Sequence, residues 1–175
     1  MIHNAVIDEM LKRRSVRAFK GNQIKPEELE TILEAGKWAA NGKGAQSPRF
    51  VAIQNKADRD ELSSLNAAVM GKDIDPFYGA PTVVAVFSDP SKMTYVEDGA
   101  LAIGNMMLAA SSIGLGSCWI HRAREEFCTE QGKALMKKWG IPENYVGIGH
   151  CILGYPDCPP AEGKPRKADY SVIDR

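Results

Sequence analysis

Six consecutive residues, Thr82-Val83-Val84-Ala85-Val86-Phe87, are apolar or β-branched without interruption. A strand with one wet face alternates polar and apolar residues, so a run that is apolar on both faces belongs in the middle of a sheet. From Glu97 to Ile113 the apolar residues go all the way round the helical wheel, which marks a second interior element, a helix in the middle of the fold. A central strand and a buried helix therefore set the frame for everything else.

The flanking elements follow from periodicity. Ile2, Val6, Ile7, Met10 and Leu11 recur at mostly helical spacing. Pro26-Glu27-Glu28 opens a helix, with proline in the first turn and acids at the positive end of the dipole. The stripe Leu29, Ile32, Leu33, Gly36 and Ala40 carries that helix to about Ala40. Asn41 to Pro48 breaks it with a glycine-bearing loop, which serves either as a plain connection or as a place where backbone approaches a ligand.

Phe50 to Gln54 reads as a strand and Asp58 to Met70 as a helix. Gly114 stops the buried helix before a short strand ending at His121. Arg124 to Trp139 reads as one helix on the stripe Phe127, Gln131, Leu135 and Trp139, and Tyr145 to Pro156 as a strand. Tyr170 to Ile173 reads as one more strand. About five helices and four or five strands do not alternate regularly enough for a doubly wound fold. Neither GxGxxG at a strand–helix junction nor GxxxxGK[ST] occurs. The expected class is α+β, a mixed, mainly antiparallel sheet with helices packed around it.

Bulk composition narrows the partners. Lys+Arg and Asp+Glu both number 22 in 175 residues, so no global charge favours nucleic acid or an anionic membrane. The most apolar stretch, Gly99 to Ile113, contains Asn105, Ser111 and Ser112 and is shorter than the roughly 20 residues a bilayer span requires. Four cysteines (Cys118, Cys128, Cys151, Cys158) form no CxxC pair, which argues against a zinc ribbon and a disulfide framework. Free thiols fit a reducing cytoplasm. Asp8 and Glu9 stand where an export signal needs an apolar core.

Side-chain catalysis is not visible. His3, His121 and His150 lack metal-ligand spacing, and no acid stands alone in an apolar run that would raise its pKa. An enzyme of this composition takes its chemistry from a cofactor. One cluster has the donors for a cofactor phosphate: Arg13, Arg14, Ser15 and Arg17 fall within five positions. Planar guanidinium groups present paired N–H donors to phosphate oxygens. The alternative is a solvated basic helix end that offsets the C-terminal dipole.

Four stretches in order resemble the nitroreductase family of FMN-dependent oxidoreductases. They are Lys12-Arg13-Arg14-Ser15-Val16-Arg17-Ala18-Phe19, the loop from Ala39 to Phe50, Gly114-Leu115-Gly116-Ser117-Cys118-Trp119-Ile120, and Lys164-Pro165-Arg166. The resemblance implies a dimeric nitroreductase-like fold over residues 1–175 as one domain. It implies that Arg13, Arg14 and Ser15 hold the FMN phosphate together with Lys164 and Arg166, and that Arg17 sits nearer the ribityl chain and the N1/O2 edge. Trp119, Ile120, His121 and Arg122 would line the isoalloxazine ring, with Asn66 a further candidate for its pyrimidine edge.

The implied partner is a second copy of the chain, with FMN at the subunit interface and Ala40, Asn41, Gly42 and Gly44 supplied by the other subunit. The tail from about 157 to 175 would wrap that subunit. The loop departs from the family pattern at Ala40, Asn41, Gly44 and Ser47-Pro48, which reduces the expected hydrogen bonds to flavin. Gly71 to Gly79 is the expected cap of the substrate face, with Phe77 and Tyr78 stacking over substrate or nicotinamide or else simply packing a loop. The implied activity is ping-pong transfer of hydride from NAD(P)H through flavin N5 to a nitroaromatic or quinone. The alternatives are a flavin protein with another acceptor and one without NAD(P)H turnover. Neither a metal nor a catalytic side chain is expected.

Overall fold

The computed structural model describes residues 1–167 and 169–174. Strands β1 (Arg49–Ile53), β2 (Thr82–Ser88), β3 (Gly116–Ile120) and β4 (Val146–Gly154) form one sheet in the order β1-β2-β4-β3. All three pairings are antiparallel. As the unbroken apolar run requires, β2 is central and every one of its residues is buried. Its pleat feeds two cores. Val83, Ala85 and Phe87 face one cluster, and Val84 and Val86 face the other.

Helices cover both faces. Ile103, Met106 and Ala110 of α4 (Tyr95–Ser112) and Ile32 of α2 (Pro26–Lys37) pack over Val84 and Val86. Leu62 of α3 (Lys56–Met70), Ala123 of α5 (Ala123–Glu126) and Leu135 and Met136 of α6 (Glu130–Lys138) cover the opposite face. Each isoleucine, leucine or methionine among them contributes about 1.5–3 kcal/mol when fully buried. The first helix, α1 (Ala5–Lys12), is capped by Asn4, whose side chain accepts from the Ile7 N–H at 2.9 Å, yet it buries none of its own residues.

Two expectations fail locally. The stretch from Arg124 to Trp139 is two helices, because Thr129 interrupts it. Its hydroxyl donates to the Glu126 carbonyl (2.7 Å) and accepts from the Gly132 N–H (3.0 Å), ending α5 and capping α6. Tyr170 to Ile173 forms no strand; these residues are irregular and exposed. The expected tail also includes positions 168 and 175, which lie outside the described residues.

The feature that builds the site is how the chain crosses the sheet ends. Ser15 makes an isolated parallel bridge to Ser117, with the Val16 N–H donating to the Ser117 carbonyl at 2.9 Å. Phe19 bridges Pro156, and the Asp157 N–H donates to the Ala18 carbonyl at 3.0 Å. The segment after α1 is thereby stitched both to β3 and to the exit of β4. Residues near the two ends of the chain meet there.

Candidate functional site

The basic cluster divides by role. Arg14 Nη1 donates to the carbonyls of Leu11 (2.8 Å), Lys12 (3.1 Å) and Arg13 (2.7 Å), which caps the C-terminal end of α1. The helix-end reading therefore holds for one nitrogen of Arg14. The rest of that guanidinium lies against the tail. A Cβ added at Gly163 would stand 2.4 Å from Arg14 Nη2, so the tail backbone passes directly against this guanidinium, which would have to swing aside for any larger residue. Lys164 is the next residue, and Arg166 follows two further on; both are exposed.

Arg13 is different. Its Nη1 is buried and has no hydrogen-bond partner among the described residues. A buried cationic donor without an acceptor is costly, so this nitrogen has capacity for an acceptor that the described residues do not supply. Ser15 is half-buried on its bridge to Ser117, and Arg17 is exposed. Cys151 lies close enough to sense Arg13. Burial, with a smaller push from Cys118, raises the thiol to about 12 against the opposing pull of Arg13. Cys151 is therefore an inert thiol.

β3 delivers the second part. Trp119 is half-buried, Ile120 buried, His121 exposed and Arg122 half-buried. Arg122 has φ 81°, in the left-handed region that side-chain-bearing residues rarely occupy. Asn66 does not face a ligand edge. It is fully buried, its Nδ2 donating to the His121 carbonyl at 2.9 Å and to Glu126 Oε1, and its Oδ1 accepting from Arg122 Nε at 2.9 Å. The expected contact from Asn66 to a pyrimidine edge is thus corrected: its amide is spent inside the protein.

Phe77 is corrected as well. It is 0% exposed, with its ring 5.4 Å from that of His150, and cannot stack over a substrate. Tyr78 is 42% exposed with φ 54°, beside Arg17. The turn that displays it is fixed by Asp75. That carboxylate accepts from Arg59 Nη2 (2.5 Å), Ser63 Oγ (2.6 Å) and the N–H groups of Phe77 (2.9 Å) and Gly79 (2.7 Å). Burial alone would raise the Asp75 pKa, but these donors together hold it below its ordinary value.

The glycine loop is mostly occupied with itself. The Gly42 N–H donates to Asp98 Oδ1 at 2.9 Å, and a Cβ at Gly42 would collide with Thr94 Oγ1 at 2.1 Å. Within the chain, glycine at 42 is explained by its packing against Thr94. Asn41 Oδ1 accepts from the Gln46 N–H at 2.9 Å, and its Nδ2 donates to the Ala39 carbonyl at 3.3 Å. Ala40 and Gly44 are exposed. Lys43 and Gln46 adopt φ 54° and 48°, so the loop is strained as well as pinned.

Sequence reasoning missed three acid-centred groups: buried Asp98, the buried Glu126–His150 pair, and Asp75 at the surface. The Asp98 partners lie more than fifty residues away and those of Glu126 come from β4 and α3, so no local pattern marks them.

Sequence comparisons agree with this geometry. The nitroreductase family model matches residues 10–77 and 72–155. The chain belongs to the nitroreductase family. A provisionally named NADH dehydrogenase/NAD(P)H nitroreductase of Archaeoglobus fulgidus is 34% identical, over 97% of this chain and 94% of that protein. The NADPH-flavin oxidoreductase of Vibrio harveyi is 31% identical, over 97% of this chain and 73% of that protein. A Bacteroides fragilis nitroreductase with bound FMN superposes with a TM-score of 0.91 at 32% identity, covering 99% of this chain and 100% of that one. In this nitroreductase-family chain the basic cluster, β3 and the tail meet at one sheet end, with Tyr78 beside Arg17.

Proposed function

We propose that the chain is an FMN-dependent oxidoreductase taking hydride from NAD(P)H and passing electrons to an electron-poor acceptor of nitroaromatic or quinone type, by a ping-pong sequence. The buried Nη1 of Arg13, without a partner among the described residues, carries this reading: it is a charged donor placed for a phosphate. Arg14 and Ser15 flank it, and the Gly163 contact brings the tail to the same place, so that Lys164 and Arg166 close the clamp. FMN, when bound, supplies the hydride and electron chemistry.

The protein contributes binding, orientation and charge. Arg17 is an exposed cation on the side of the ribityl chain and ring, where it stabilises developing negative charge. Trp119, His121 and Arg122 present the ring-facing surface, whereas the Ile120 side chain is buried in the core and leaves only its backbone to that face. Tyr78 is the aromatic at the substrate face. The chain has exposed Val6, Met10 and Leu11 on α1, Leu101 and Ile113 around α4, and Trp38. A second copy is the natural cover, which makes a homodimer with the site at its interface and Ala40 and Gly44 facing the partner's flavin. No helix among the described residues is long and apolar enough to cross a membrane, and four free cysteines suit the reducing cytoplasm.

A second reading has a specific support. The amides of Asn41 and Gly42 are engaged within the chain, which leaves fewer donors for flavin and favours a flavin-binding protein with another acceptor or no NAD(P)H turnover. One experiment separates them. Purified protein is titrated with FMN, then reduced anaerobically with NADH and NADPH in turn. Bleaching within seconds supports the oxidoreductase; flavin that binds but stays oxidised under both supports the second reading. Protein that takes up no FMN refutes both.

A further inference from the structure

Beneath the β3–α5 turn lies a buried hydrogen-bonded chain that the anion clamp does not use. His150 of β4 and Glu126 of α5 are both fully buried, with Nε2 2.7 Å from Oε2. The other oxygen of Glu126 accepts from Asn66. Asn66 then reaches the turn at two points, the His121 carbonyl and the Arg122 side chain, each at 2.9 Å. Between those two points the backbone turns through the left-handed conformation of Arg122.

A side chain that merely fills space here would be apolar. Leucine of similar size would leave the His121 carbonyl and Glu126 Oε1 without these donors, and Arg122 Nε without this acceptor. The same pair supports a second loop. The ring of Phe77, which anchors the Tyr78 turn, stands edge-on to His150, and Phe127 closes the other side at 5.9 Å. His150 Nδ1 has no partner among the described residues, so Glu126 alone fixes the ring by hydrogen bonding.

On the flavin reading of the site, we propose that Asn66 is a positioning residue: it holds the His121–Arg122 turn in the geometry that meets the flavin ring, and the Glu126–His150 pair holds Asn66. It touches neither cofactor nor substrate. Its loss leaves the phosphate clamp intact and lets the ring-facing turn relax, separating cofactor affinity from cofactor reactivity.

The test has one readout without flavin and one with it. In FMN-free protein, Asn66→Ala should raise amide exchange about tenfold or more at Glu126 and Phe127, whose N–H groups donate to the Arg122 and Ala123 carbonyls (3.0 and 3.1 Å), while β2 amides stay protected. In FMN-loaded protein it should shift the visible absorption band and slow flavin reduction by NAD(P)H about tenfold to hundredfold, with FMN affinity near that of the parent. If Asn66→Ala fails to fold, Asn66→Ser serves, since one hydroxyl proton cannot satisfy both Glu126 and the His121 carbonyl. Unchanged exchange at Glu126 and Phe127 overturns the proposal. Raised exchange with a parental spectrum and rate overturns its link to reactivity. A parent that takes up no FMN overturns the flavin reading instead, and the exchange result still decides whether Asn66 holds the turn.

Discussion

The guanidinium of Arg17 lies over the ring of Tyr78, its Cζ 5.9 Å from the ring centroid. Neither residue is held there by burial. Arg17 follows the strand-like bridge of Ser15 to Ser117, and Tyr78 projects from a turn tied down by Asp75 and by Phe77 in the core. Two rigid supports thus present a cation and an aromatic ring side by side at the surface.

Tyr78 occupies φ 54°, where any side chain is disfavoured by roughly 1–2 kcal/mol. Tyr78→Ala removes the ring and keeps the strain, whereas Tyr78→Gly removes both. The glycine variant is therefore expected to be more stable than the alanine variant by about 0.5–1 kcal/mol, after the greater unfolded-state entropy of glycine is subtracted. Both should raise KM for aromatic acceptors with little change in FMN affinity. Denaturant melts and steady-state kinetics with a nitroaromatic check this. An alanine variant more stable than the glycine variant would remove the strain argument.

The Asp75 turn sets an acid limit on the same surface. Its folded pKa lies below the ordinary value of 3.8, so its contribution is fully present above that value and is lost as pH falls through the folded pKa. Asp75→Asn should destabilise the protein by about 1–2 kcal/mol near neutrality, modest because part of the carboxylate faces water. The gap between parent and variant should stay flat from about pH 5 upward and close in stronger acid. Urea melts across that range measure it, and a gap that widens on acidification would contradict the assigned sign.

Arg13 should show opposite effects on stability and binding. Its buried nitrogen lacks an acceptor among the described residues, so Arg13→Met removes a partly desolvated charge. FMN-free stability is expected to be no lower, and higher by on the order of 1 kcal/mol. FMN binding should weaken by about 1.5–3 kcal/mol, roughly tenfold to hundredfold. Arg13→Lys should also bind less well, because a point charge does not replace the planar fork. Thermal melts and fluorescence titrations report the two effects separately. Equal titration curves for parent and variant would end the phosphate role.

The order of elements was legible because β2 is buried along its whole length; α4 is buried along one stripe only, so Leu101, apolar in sequence, stands exposed where the all-round apolar pattern predicts an interior helix. Helix ends were less legible: Thr129 divides a stretch whose apolar stripe runs straight through, since capping competes with periodicity at a single residue. The basic cluster was legible as chemistry, but the division of labour between Arg13 and Arg14 depends on side-chain direction, which spacing does not encode. Phe77 and Tyr78 are neighbours of similar character, and only the Asp75 turn sends one inward and the other out. Asn66 is a pyrimidine-edge candidate in the sequence through the family resemblance, and nothing local marks its inward role because its partners, Glu126 and the His121 carbonyl, are brought to it by α5 and the end of β3.

α1 provides the test of assembly. It is a well-capped helix carrying Val6, Met10 and Leu11, each at least half exposed, and it buries none of its residues within the chain. In the proposed dimer, the partner covers the apolar face of this marginal helix of 8 residues. In a twofold dimer a substitution acts at both copies, so Met10→Glu should cost on the order of 2–4 kcal/mol of association, about 30-fold to 1000-fold in dissociation constant. Sedimentation should show a dimeric parent and a variant shifted to monomer. If the flavin sits between subunits, FMN affinity must fall with dimer content, both in the variant and on dilution of the parent. A variant that is monomeric yet binds FMN like the parent would place the whole site within one chain, leaving Ala40 and Gly44 no part in it.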